Sequence, residues 1–406
     1  MSVLQPLDAK QTAEAIAWAA AQGGSLEIVA GGTKRALGRP MKTDHLLDVS
    51  GFKGIVAYEP AELVLTARPG EPLASISAAL AKSRQMLAFE PPDWRSLLGA
   101  EGAETLGGVI ACNLAGSRRV RSGSARDYVL GFSAVNGFGD IWKAGGKVVK
   151  NVTGYDMCKL QTGAYGTLSA LTELTLKVMP KPETAWTIVL HGLADEVAIE
   201  MLARALNSPF EVSGAAHLPA PSARRSKIGA VAAGRGAATA LRLEGPLPSV
   251  AYRAQALEAL VGRGARLDET ETETFWQEVG AVQPLLGPGS RIVWRVCPTP
   301  SRSRGVAHSI LKAMPGAEFY FDWGGGLIWL SLDAGVAGAD AGAVIIRSAV
   351  QSAGGHATLI VAPDPIRAAT SVFEPQTAAL AELTARVKNG FDPRGILNPG
   401  RMYEGG

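Results

Sequence analysis

The chain has 406 residues, enough for two ordinary domains, and its 47% hydrophobic against 19% charged residues excludes a disordered polypeptide. Forty Lys and Arg against 37 Asp and Glu leave a net charge of +3, far from the one-sided basic surface of a dedicated nucleic-acid binder. Cys112, Cys158 and Cys297 are scattered and form no C-x-x-C pair, which excludes an iron–sulfur cluster carried by this chain alone and predicts reduced thiols.

In chain order, apolar residues at helical spacing (Ala13, Ile16, Ala17, Ala20) predict a helix over 9–21, stopped by Gly23-Gly24. A strand over 26–30 runs into a glycine-rich turn. Residues 54–58 and 63–67 read as two strands joined at Pro60, and 72–82 as a helix opened by a proline. A hairpin is predicted over 128–136 and 141–143, then a long strand over 168–179. Pro180-Lys181-Pro182 marks a domain boundary.

Beyond it the expected strands are 186–191, 210–217, Arg291–Cys297, 327–332 and His356–Val361. The expected helices are 194–207, 252–261, 303–314, 341–351 and 375–388, with the Ala- and Gly-rich run 229–240 taken as loop. Alternating strands and helices with few tight hairpins predict an α+β layer, one sheet covered by helices. Residues 1–22 show no apolar secretory core, and no uncharged stretch reaches the ~18–20 residues needed to cross a bilayer, so a cytoplasmic location is expected.

The 48 glycines, about one residue in eight, concentrate in clusters that could carry chemistry. Gly31-Gly32-Thr33-Lys34 follows an apolar strand. Such glycines let several backbone N–H groups converge on one anion, while Thr33 adds a hydroxyl and Lys34 a point charge. The spacing is neither a Walker loop nor the Rossmann G-x-G-x-x-G, and a plain turn is the simpler alternative. TLGG (105–108) opens a short apolar helix, followed by Asn113 and AGSRRVR (115–121), then Gly123 and Ala125. Its glycine pair lets a ligand lie against backbone near a helix N-terminus, and Arg118 and Arg119 could neutralise phosphate or carboxylate. The third cluster is GGKVVKNVTGYD (145–156) with GAYGTLS (163–169).

Together these clusters resemble the FAD-binding domain of the vanillyl-alcohol oxidase / p-cresol methylhydroxylase (PCMH-type) flavoprotein family. GTLS (166–169) stands where that family has G-T-L-G. FDPRGILNPGR (391–401) resembles the terminus of its 2-hydroxy-acid-oxidising branch, and KNVTGYD with AGSRRVR is most similar to FAD-binding subunits of bacterial glycolate oxidases. The resemblance implies residues 1–180 as two α/β subdomains holding FAD, and 183–406 as an α+β C-terminal cap. It also explains the glycine excess: the cofactor lies against backbone, where a Cβ would collide. It implies cofactor contacts from Gly31, Gly32, Thr33, Lys34, Thr105, Leu106, Gly107, Gly108, Asn113, Gly123, Ala125, Asn151, Gly166 and Thr167. Some relatives tether FAD through a histidine in the first glycine loop; none lies between Ala30 and Pro40, so non-covalent FAD is expected.

Oxidising a 2-hydroxy acid requires a base and a cation for the carboxylate. His356, at the start of a strand expected to face the flavin, is the candidate base; Lys150, Tyr155 and Arg119 are further pocket candidates. No metal-ligand set is read. The sequence departs from catalytic relatives in lacking an H-x-G-[DE]-G-N-x-H-like segment. The resemblance therefore implies partners: a second, catalytic FAD subunit and an iron–sulfur subunit passing electrons to a quinone, with possible peripheral membrane association through them. Three readings stay open: a glycolate oxidase flavoprotein subunit forming glyoxylate, a stand-alone FAD oxidoreductase of another small alcohol or sugar acid, and a structural subunit that keeps the fold without flavin.

Overall fold

The computed structural model describes residues 2–147, 154–234, 236–287, 289 and 291–404. The first helix, Ala9–Gln22, starts where the Asp8 side chain accepts from the Gln11 N–H, and ends at Gly23 in the left-handed conformation (φ 67°). It buries Ile16 and Ala19 against a three-stranded parallel sheet in the order Ser2–Leu4, His45–Asp48, Leu26–Val29. The edge strand Ser2–Leu4 and the central strand His45–Asp48 are too short to carry a period in the sequence.

Next to this layer lies a five-stranded antiparallel sheet ordered Ile55–Glu59, Val64–Ala67, Ser169–Lys177, Val129–Asn136, Ile141–Gly145. The strand expected over 168–179 is interrupted: Lys177 is its last residue, and Met179–Pro180 pairs instead with Gln85–Met86. Beyond the Pro-bearing exit, residues between Thr184 and Val361 build one eight-stranded antiparallel sheet. Its order is Ala265–Leu267, Thr184–His191, Ala238–Gly245, Gly214–Leu218, Glu318–Asp322, Leu327–Asp333, Arg291–Cys297, His356–Val361.

Side-chain alternation along these strands separates two cores. Ile188 and Leu190 face a helical layer formed by Asp195–Leu206, Leu247–Val261, Ser303–Ala313 and Ala343–Gln351. Val189, between them, faces the opposite core, which the sheet shares with Glu269–Gly280 and with the N-terminal part. Trp94 closes that seam: its indole donates to the Gly280 carbonyl (2.9 Å) and meets Trp329 edge-on at 5.5 Å. The fold is thus α+β, with the large sheet covered by helices on one face and by the first domain on the other.

Two expectations are corrected. The run 229–240 is not all loop: it holds a short helix, Gly229–Ala232, and the first residues of Ala238–Gly245, which pairs on both edges in mid-sheet. Small residues there pack where backbone layers approach, so compositional bias hid a buried strand. Residues 210–213 are not strand; pairing starts at Gly214. No described helix is long and apolar enough to cross a membrane.

The tail leaves the cap and returns to the first domain. After Ala378–Phe391, Trp142 packs against Phe391 at 5.2 Å, and Leu397 bridges Leu26. Residues from 391 to 401 therefore complete the N-terminal layers, although in sequence they continue the C-terminal unit.

Candidate active site

Three stretches remote in sequence meet in one open cleft. The first follows Leu26–Val29. Gly31 passes so close to the 102–105 loop that an added Cβ would lie 1.9 Å from the Ala103 carbonyl oxygen, so only glycine lets the two stretches touch. Thr33 and Lys34 are buried beside it, and the Lys34 ammonium is ion-paired with Glu104. The second stretch is the helix Leu106–Ala111, whose Thr105 hydroxyl oxygen accepts from the Gly108 N–H. The third is the turn at Tyr165 and Gly166.

Among the sequence-predicted residues, Gly31, Gly32, Thr33, Lys34, Thr105, Gly107, Gly108 and Gly166 all line this cleft. Leu106 does not: it is fully buried in the core. Thr167 is also buried, donating to the Ala164 carbonyl (2.7 Å) while its own carbonyl accepts from Lys388. Gly123 and Ala125 form the turn around Asp127, whose carboxylate accepts from the Ser124 N–H, away from the cleft lining. Asn113 borders a second, smaller cavity described below. Tyr155 is 90% exposed and lines no part of the cleft. Lys150 and Asn151 lie outside the described residues.

The cleft suits an extended dinucleotide. A Cβ on Gly108 would make only ordinary contacts with the Thr105 hydroxyl (3.4 Å) and Lys34 (3.6 Å). The protein itself does not require glycine there, whereas a ligand lying on the backbone does. Two buried donors, Gln161 Nε2 and Arg401 Nε, have no partner among the described residues, and both side chains belong to the lining. Such donors match phosphate and carbonyl oxygens.

Gln161, Tyr165, Asn398 and Arg401 were not singled out from the sequence as ligand contacts. The last two sit in the C-terminal motif, whose role the structure explains. The Asn398 amide donates to the Tyr165 carbonyl (2.6 Å) and its oxygen accepts from the Ile28 N–H (2.8 Å). Arg401 donates to the Lys34 carbonyl (2.8 Å). One motif thereby clamps the first and third stretches together.

A second cluster lies where the first domain meets the large sheet. A small cavity is bordered by Asn113, Gly116, Arg295, Asp322 and Trp323. The guanidinium groups of Arg119 and Arg295 lie 4.7 and 5.0 Å from the centre of the Trp323 ring. Neither has a carboxylate at ion-pair distance among the described residues, and burial, then Arg295, push Arg119 below its ordinary pKa. Cys297 and His356, opposite each other on neighbouring strands, complete the group. Tyr165 connects the two places: it lines the cleft, its phenol is buried, and it feels the charge of Arg295.

The loop carrying Arg119 is held by buried charge. Arg118 pairs with Glu244 (2.5 Å), Arg242 with Glu90 (2.7 Å), and Ser117 donates to Asp322 (2.7 Å). Glu90, Arg118 and Ser117 come from the first domain and the others from the cap, so this network fixes their mutual register at the site.

A protein-family model described as an FAD binding domain matches residues 2–145. The chain is 36% identical over 380 residues to glycolate oxidase subunit GlcE of Escherichia coli (strain K12), covering 93% of this chain and 92% of that one. Glycolate oxidase subunit GlcD of Bacillus subtilis (strain 168) is 30% identical over 234 residues, 54% of this chain and 47% of the relative. Among solved structures, p-cresol methylhydroxylase with substrate bound superposes with a TM-score of 0.69 at 15% identity, over 98% of this chain and 88% of that one. Alkyldihydroxyacetonephosphate synthase gives 0.68 at 14%, over 98% and 75%. These two likenesses concern the fold. The chain belongs to the family of FAD-binding, FAD-linked oxidoreductases that contains the glycolate oxidase subunit GlcE.

Proposed function

We propose that this chain is the FAD-binding subunit of a multi-subunit glycolate oxidase, oxidising glycolate to glyoxylate and passing electrons through a partner iron–sulfur subunit to a quinone. The observation that carries the substrate class is the pair of guanidinium groups, Arg119 and Arg295, without a carboxylate partner among the described residues and joined through Tyr165 to the glycine-lined cleft. Two such cations against one aromatic ring suit the carboxylate of a small hydroxy acid. Similarity to GlcE and GlcD supports the glycolate assignment and the partnership.

Gly31, Gly32, Thr33, Lys34, Thr105, Gly107, Gly108 and Gly166, with Gln161 and Arg401, would hold the cofactor non-covalently. Bound FAD supplies the two-electron acceptor for the oxidation. Arg119 and Arg295 orient the carboxylate, Trp323 holds both guanidinium groups, and His356 takes the hydroxyl proton. Interaction with Cys297 raises the His356 pKa, against burial. The pH at which the proton acceptor becomes competent is therefore displaced upward from the ordinary histidine value.

The test is anaerobic mixing of the purified, FAD-loaded chain with glycolate. The flavin absorbance is expected to bleach, His356→Ala to slow this about 10²-fold, and Arg295→Met to raise the glycolate concentration at half-maximal rate about tenfold or more. A flavin that dithionite reduces and glycolate leaves oxidised overturns the assignment of turnover to this chain.

A further inference from the structure

Cys297 forms and breaks no bond in the oxidation as described, yet it sits inside the same cluster. It closes the strand Arg291–Cys297, and His356 opens the strand His356–Val361; the two are direct cross-strand partners, so their side chains share a face. Arg295 lies two residues back on the same strand and therefore on that face. Cys297 is partly exposed and His356 exposed, whereas Cys112 and Cys158 are buried.

The charges make the three thiols unequal. Burial opposes ionisation of Cys297, but Arg295, His356 and Arg119 together hold its thiol below the ordinary value. Burial raises Cys112, and pushes Cys158 up to about 11. Glu374, whose carboxylate accepts from the Ala357 N–H, favours the protonated form of His356, and Arg295 opposes it. The result is a nucleophilic sulfur beside a proton donor and two carboxylate-binding cations.

We propose that Cys297 captures the aldehyde product of the reaction, glyoxylate, as a reversible hemithioacetal. This rests on the glycolate reading above. Arg119 and Arg295 hold the carboxylate while the Cys297 sulfur bonds to the aldehyde carbon. The carbonyl π bond opens, and its oxygen takes a proton from the His356 imidazolium. No electrons leave or enter, and the reverse step restores thiolate, imidazolium and free product. The adduct makes the oxidation sensitive to accumulated product, and an aldehyde is favoured over a ketone because the attacked carbon bears hydrogen in place of a methyl group.

The experiment measures alkylation of each cysteine by iodoacetamide, resolved by peptide mass, on the unaltered FAD-loaded chain. Cys297 is expected to react at lower pH than Cys158. Millimolar glyoxylate should slow its alkylation about tenfold or more, while pyruvate and acetate slow it less than about twofold. Equal protection by acetate, which occupies the arginines without forming a bond, overturns the capture, as does unchanged alkylation in glyoxylate. Bleaching by glycolate on the same preparation reports the oxidation separately: a chain that glycolate reduces and glyoxylate does not protect retains the proposed function and loses this inference.

Discussion

Asp322 shows how one residue couples the docking of the two parts to pH. It is 1% exposed, and its carboxylate accepts from the Ser117 hydroxyl and from the Trp323 N–H, each at 2.7 Å. Burial raises its pKa to about 7, with Ser117 and Trp323 opposing and Glu90 reinforcing the rise. The folded protein therefore holds this proton more tightly than the unfolded chain. The associated stability is complete below the unfolded carboxylate range and is lost as pH rises through about 7. Asp322→Asn, neutral throughout, should gain on the parent by on the order of a few kcal/mol between acid and mildly alkaline pH. Thermal midpoints of the two proteins at a series of pH values check this; parallel curves would contradict it. Single polar residues of this kind were not legible in the sequence. Gly31, Thr105 and Gly108 announce themselves by clustering, whereas Asp322, Gln161 and Arg295 each stand in ordinary strand or helix contexts and gain meaning only from neighbours across the domain seam.

Among the elements, the C-terminal motif does the most to shape the cleft. Lys388, near the end of Ala378–Phe391, is the helix's one buried residue, and its ammonium donates to Thr167 O (2.7 Å), Asp392 Oδ2 (2.7 Å) and Leu397 O (3.0 Å). Asp392 is fully buried and also accepts from the N–H groups of Ile396 and Leu397. Lys388→Met fills similar volume but leaves that carboxylate without its cation, so it should cost about 3–5 kcal/mol of unfolding free energy. A urea titration reads this directly, and an unchanged midpoint would show the lysine to be dispensable. The motif itself was legible as a family terminus, but its mechanical role was not, because pairing between residues 26–28 and 396–398 has no local signature. The helix Glu269–Gly280 was missed for another reason. Its capping box, Asp268 with Glu271, is readable in principle, but the following Glu/Thr alternation masks a face formed by Thr272, Phe275, Trp276 and Val279. Arg291–Cys297 and His356–Val361, by contrast, were legible as short stretches rich in Ile, Val, Leu and Trp with proline or glycine close by.

At the scale of the molecule, a small parallel layer, a five-stranded sheet and the large cap sheet meet along one seam, and both the cleft and the Arg119–Arg295 cluster lie on the first domain's side of it or across it. The buried network joining Glu90 and Arg118 to Arg242 and Glu244 makes this arrangement specific, since slippage would strand charges. The proposed function rests on the cleft holding FAD against Gly108. The most direct measurement is therefore flavin stoichiometry in purified parent and Gly108→Val proteins, with the thermal midpoint of each cofactor-free chain recorded alongside. The parent should carry one FAD per chain, released by acid precipitation, and the variant less than about a tenth of that with a cofactor-free midpoint close to the parent's, because a side chain here fills ligand space and little else. A Gly108→Val protein that copurifies with a full complement of FAD, or a folded parent that takes up none, would contradict the account.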